Sequence, residues 1–250
     1  MNIMKLSSIM CVSLAALALS VGSTAQAASG TWSGSVDAFW TNSANWSVSP
    51  YPSGGDTATF NSGSANTTVD IAGLTGILNL NFDTASVAAY TIGAGAANSQ
   101  TNILRDGGEI KVTASAGSDQ TFNATVRLGP DTANAAYSIR NDNPVRTLYF
   151  ADIAGMSGGT KTLNINGSGP VNVQGRLQRT SSALDLYINT TNTLALGGDS
   201  SFRLIQINGA GSVINLGAGS TMYVSNAGGN GIMAAENATI NGPGKIYLST

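Results

Sequence analysis

The chain has 250 residues, a net charge of −2, 10% charged residues, 31 Gly, one Cys and no His. Ordinary domains carry about 25% charge and about 7% Gly, so this chain is charge-poor and glycine-rich, and at 42% hydrophobic it is too apolar for intrinsic disorder. It has no basic excess to mark a nucleic-acid surface, and without His it lacks the Ser-His-Asp arrangement, His-ligated metals and most acid–base chemistry.

The first element is a targeting signal. Lys5 supplies a positive start, Leu6 to Val21 is mostly apolar, and Ala25-Gln26-Ala27 has the small-x-small pattern of a signal peptidase site. Residues 1–27 therefore read as a signal peptide cut after Ala27. The apolar run is short for a membrane span and has no basic stop-transfer flank. Cleavage removes Cys11, the only cysteine, so the exported chain is held by burial and hydrogen bonds alone, and thiol chemistry and Cys/His zinc sites are excluded.

Residues 28–60 are unlike the remainder. Trp32, Trp40 and Trp46 lie here, with Phe39, Tyr51, Pro50 and Pro52. A solenoid needs an atypical terminal cap over its open end, and bulky aromatics suit one. The functional alternative is a platform on which Trp32, Trp40 and Trp46 stack against sugar rings.

Residues 61–250 alternate apolar and polar side chains, as in Ile77-Leu78-Asn79-Leu80-Asn81-Phe82, Thr162-Leu163-Asn164-Ile165-Asn166 and Leu184-Asp185-Leu186-Tyr187-Ile188. This period of two predicts strands with one buried face. Gly, Asn, Ser and Asp clusters between them predict turns, Asp106-Gly107-Gly108 being a candidate tight turn. No helical period of useful length occurs, so the fold class is all-β. Strand starts recur about every 20 residues, a stacked-coil period. A corner motif repeats as Ile165-Asn166-Gly167-Ser168-Gly169, Ile207-Asn208-Gly209-Ala210-Gly211 and Ile240-Asn241-Gly242-Pro243-Gly244. Together these predict a parallel β-solenoid of about nine coils, about 45 Å long. An antiparallel sandwich is the alternative. In the solenoid Leu186 faces inward and Asn189 faces solvent, so an Asp at Leu186 should cost about 3 kcal/mol or more and one at Asn189 under about 0.5.

The order Trp32-x-Gly34, Trp40, Asn45-Trp46-Ser47, Pro52, Gly55-Asp56-x-Ala58-x-Phe60 resembles the N-terminus of autotransporter-type β-helix passengers. These exported proteins carry autotransporter-associated β-strand repeats, and many relatives end in a PEP-CTERM sorting tail. The likeness continues through Gly76 to Phe82, Ala89 to Gly93 and Gly158 to Gly169. It implies a right-handed parallel β-helix in Gram-negative bacteria, secreted or at the cell surface, often an adhesin, and carries over no catalytic residue. Residues 176–250 keep the rhythm but not the family's repeat words. Neither a barrel nor a sorting tail appears before Thr250, so the chain is expected to be a piece of a longer protein with such an anchor.

Chemical constellations are few. The carboxylates form no evident glycosidase pair, although Asp185 and Asp199 could sit on neighbouring coils. A lyase-like set would draw on Arg176, Arg179, Asp185, Asp199 and Arg203. Gly228-Gly229-Asn230-Gly231-Ile232 begins like a calcium repeat but has Met233 where Asp is required. Asn66 and Asn237 begin Asn-x-Thr sequons, which matter only in a eukaryotic secretory pathway. The expectation is a non-enzymatic structural or adhesive scaffold with no cofactor and no metal, whose partners are host or matrix surfaces or polysaccharide, not nucleic acid. A carbohydrate-binding module and a polysaccharide lyase or hydrolase are the alternatives.

Overall fold

The computed structural model describes residues 29–129, 133–156, 158–180, 183–225 and 231–249. Residues 1–27, read above as a signal peptide, most of the calcium-like Gly228–Ile232 stretch and Thr250 lie outside them. Within them the chain is all-β, its one helical element being the single 3₁₀ turn Ser43–Asn45. The strands stack in about nine parallel turns of a β-solenoid.

Each full turn visits three faces. Face A carries Gly30–Thr31, Thr57–Phe60, Ile77–Phe82, residues 109–112, Ala135–Asn141, Thr160–Asn166, Ala183–Ile188, Leu204–Ile207 and Ile232–Ala234. Face B carries Thr68–Val69, Thr91–Ile92, Gln120–Phe122, Leu148–Phe150, Val171–Val173, Thr193–Leu196, Val213–Leu216 and Thr239–Asn241. Face C starts with residues 101–104 and continues through Thr125–Leu128, Ile153–Gly155, Leu177–Gln178, Ser200–Phe202, Thr221–Ser225 and Lys245–Ser249. Every ladder between these strands is parallel, which excludes the sandwich. Among the described residues the one antiparallel contact is an isolated bridge between Trp32 and Trp46.

Parallel in-register stacking sets like residues over like, because strand side chains alternate with period two. On face A, Leu80, Ile110, Ile139, Ile165, Ile188 and Ile207 form one interior column, and all are buried. On face B the column is Val69, Ile92, Phe122, Phe150, Val173, Leu196 and Leu216. Asp106–Gly108 does not reverse the chain. It turns a corner inside the continuous strand Thr101–Val112, whose two halves pair with different neighbours, because here the partner for each backbone edge is another coil.

The coils are less uniform than a 20-residue repeat. Along the outer row Thr57, Asn79, Glu109, Ser138, Asn164, Tyr187 and Gln206 of face A, successive partners are separated by 22, 30, 29, 26, 23 and 19 residues. Length differences are absorbed at corners, where no ladder fixes the register. The corner motifs are not equivalent either. Residues 165–169 and 207–211 turn from face A to face B, whereas 240–244 turn from face B to face C. In the first copy a side chain at Gly167 would force the backbone to shift: φ is +80° and a Cβ would lie 2.1 Å from the Asn141 carbonyl of the coil above.

Candidate functional site

The aromatic start of the chain is a plug. Trp32 and Trp40 are buried and Trp46 is only 6% exposed. Trp46 meets Trp32 and Trp40 edge-on at 5.0 and 4.6 Å, and all three surround Phe60 at about 6 Å. Each indole N–H donates to a backbone carbonyl, of Asn66, Pro52 and Trp40 for Trp32, Trp40 and Trp46 respectively. Sugar stacking requires an exposed ring face, and none of these three presents one. Phe60 carries the packing onward to Phe82 at 5.2 Å, joining the plug to the solenoid interior. Asn45 organises the plug. It is fully buried; its Oδ1 accepts from the Val36 and Asp37 N–H groups, and its amide donates to Asp37 and the Phe39 carbonyl.

The residues considered for glycan cleavage do not converge. Asp199 accepts from the Thr221 N–H at 2.9 Å and so braces the next coil of face C. Asp152 does the same for the Arg176 N–H at 2.7 Å, and the Arg179 N–H donates to Ser201. Asp185 is on face A. Its neighbours Leu184 and Leu186 point inward, so it points outward, yet it is only 3% exposed because Arg203 of the following coil folds over it in an ion pair. The Asp185–Asp199 pairing therefore does not form. Among the described residues no group of three or more His, Cys, Asp or Glu is placed to hold a metal ion. No described helix is long and apolar enough to cross a membrane.

Two recesses open on face A. The larger, about 450 Å³, is lined by Asn134, Ala135, Ala136, Thr160, Thr162 and Arg203. The smaller, about 250 Å³, is lined by Gln206, Ile207, Asn208, Met233, Ala234 and Ala235. Between them runs a chain of side-chain hydrogen bonds that crosses coil after coil. Ser138 donates to Glu109 at 2.8 Å, Asn166 to Ser138 at 2.9 Å, Asn189 to Asn166 at 3.2 Å and to Asn164 at 3.0 Å, and Asn208 to Asn189 at 2.9 Å. Gln206 closes the chain on Asn208 at 2.9 Å. Alternation in the sequence shows that these residues face outward. It does not show that they touch, because the bonds between coils join residues 19 to 29 positions apart.

Two interior polar residues also have no signal in the local sequence. Lys161 occupies an inward position of Thr160–Asn166, is fully buried, and donates to the Ala133 carbonyl at 2.7 Å. Tyr137 is buried with its hydroxyl donated to Asp106. On the surface, the Thr113 hydroxyl first, then the Thr84 N–H and the Ser115 hydroxyl, hold the Asp83 carboxyl below the usual carboxylate range.

No family model, no curated protein and no solved structure matches this chain.

Proposed function

We propose that this chain is an exported, non-enzymatic β-solenoid passenger that serves as a cell-surface or secreted structural and adhesive scaffold, of the autotransporter type its N-terminal motif resembles. The observation that carries this reading is the rod itself. About nine turns at a strand spacing of roughly 4.8 Å give a stack about 40 Å long, plugged by the Trp32–Trp40–Trp46 cluster at its start. Its face A carries a row of polar side chains cross-linked between coils. Such a body extends and presents a surface. The targeting segment 1–27 supplies the route of export.

The test is cell fractionation of the native host with an antibody against the chain, combined with N-terminal sequencing. The expected result is a product cleaved after Ala27 in the surface or extracellular fraction, and reduced attachment of cells that lack it. An uncleaved product confined to the cytoplasm, or release of oligosaccharides from a polysaccharide panel by the purified chain, would overturn the proposal.

A further inference from the structure

We propose that face A between Asn164 and Asn208 binds a neutral, extended polysaccharide whose chain runs along the solenoid axis. Three observations converge on this patch. The first is the amide row. A primary amide has two N–H donors and two acceptor lone pairs. Asn164 donates once, to the Tyr137 carbonyl, and accepts once, from Asn189. Asn166 donates to Ser138 and accepts from Asn189. Asn208 donates to Asn189 and accepts from Gln206. Each of these three is fixed in orientation and retains one N–H and one lone pair. A sugar hydroxyl both donates and accepts, so adjacent hydroxyls on a pyranose match this pairing. The supporting bonds order the amides before any ligand arrives, which lowers the ordering cost of binding.

The second observation is spacing. The amides recur once per coil, at roughly 4.8 Å, a distance comparable to the advance of one pyranose in an extended chain. Tyr187 lies within the array, partly buried, on the coil between Asn164 and Gln206. An aromatic ring among amides can pack against the apolar face of a sugar. The smaller recess continues the surface past Gln206 and Asn208.

The third is charge. The six residues Asn164, Asn166, Tyr187, Asn189, Gln206 and Asn208 are uncharged, and the flanking cations are paired, Arg140 with Asp142 and Arg203 with Asp185. An acidic polymer finds no attracting field here, whereas a neutral one has no ion pair to disrupt. The inference deepens the scaffold proposal by giving the rod a ligand. Binding is measured on the purified chain and location in the host, so either can fail alone.

The experiment is affinity electrophoresis of the purified chain through gels containing hydroxyethylcellulose, glucomannan or alginate, with light scattering on the same sample. Retardation is expected in the two neutral polymers and not in alginate. Asn208→Ala, at an exposed position, and Tyr187→Ala should each weaken retention about tenfold, while Thr121→Ala on face B leaves it unchanged, all with wild-type circular dichroism. Absence of retardation in both neutral polymers would overturn the proposal. So would equal retardation in alginate, unchanged retention in Asn208→Ala, or self-association through this face that Asn208→Ala abolishes.

Discussion

Asn102 and Asn141 should respond to the same substitution with opposite signs. Asn102 points inward from face C, is 1% exposed, and neither its Oδ1 nor its Nδ2 finds a hydrogen-bond partner among the described residues. Its column neighbour is Val126. An unpaired buried amide costs about 1–3 kcal/mol, and Val matches both the column and the strand conformation. With a fraction returned to local crowding, Asn102→Val should stabilise the chain by about 1–2 kcal/mol. Asn141 is equally buried, but it donates to the Arg146 carbonyl at 2.7 Å and the Pro170 carbonyl at 2.9 Å and accepts from the Asn143 N–H at 3.0 Å. Asn141→Val strands the Arg146 carbonyl and the Asn143 N–H, while the Pro170 carbonyl keeps the Leu148 N–H at 3.2 Å, and should cost about 2 kcal/mol or more. For a chain of this size, about 1 kcal/mol moves the melting midpoint by about 2–4 °C. Thermal and guanidinium unfolding should be followed by circular dichroism, because the three tryptophans, all between residues 32 and 46, report on the plug alone. Destabilisation by Asn102→Val as large as that by Asn141→Val would refute the reasoning.

Further outcomes follow from the same geometry. Gly167→Ala combines a φ of +80° with a Cβ 2.1 Å from the Asn141 carbonyl, whereas Gly211→Ala meets a φ of +71° and open space. In denaturant unfolding the first should cost about 2 kcal/mol more than the second, and equal losses would contradict the corner assignment. Leu186→Asp buries an unpaired charge in the interior and should cost about 3 kcal/mol or more. The under-0.5 kcal/mol expected for an Asp at Asn189 needs correction. Asn189 donates to both Asn164 and Asn166, so Asn189→Asp sets a carboxylate against two amide oxygens and should cost about 1 kcal/mol, read from the same unfolding curves. Asp83 has a depressed folded pKa, so its contribution is present above the unfolded carboxylate range and fades as pH falls through the folded value. Asp83→Asn should therefore lower stability at neutral pH, by under about 1 kcal/mol at this solvent-screened surface site. The difference from wild type should vanish in acid; a gap that persists at the lowest pH would exclude the linkage.

The resemblance and the rod lead to the scaffold proposal by separate routes. The motif at Trp32 to Phe60 is a local pattern of residues. The cross-linked outer ladders arise only from stacking. A rod whose outer amides are tied along its axis resists bending as well as unfolding, since moving one coil against the next breaks side-chain bonds and strand ladders together.

Much of the fold was legible in the chain because its determinants are local. Ile77–Phe82 is a strand over the residues that alternation marks, and Thr160–Asn166 and Ala183–Ile188 extend their predicted cores by a residue or two. The apolar alternate positions are buried, and the low charge suits stacking in which like residues meet every roughly 4.8 Å. The rest depends on which residue lies over which. A spacing of about 20 residues could not reveal coils of 19 to 30. It likewise could not show that residues 240–244 turn a different corner from 165–169.

The candidate surface shows this division most clearly. Composition and period by themselves determined an all-β chain with polar side chains outward, since backbone sterics and hydrophobic alternation act over a few residues; the repeated corner motif favoured stacked coils, and the parallel ladders excluded the sandwich. Tertiary structure decided that Trp32, Trp40 and Trp46 close the interior, that Arg203 covers Asp185, and that Asn164, Asn166, Asn189 and Asn208 join into one row. Those contacts depend on how the strands register from coil to coil. A one-residue slip of Ala183–Ile188 against Thr160–Asn166 would turn its outward side chains toward the core and dissolve the row.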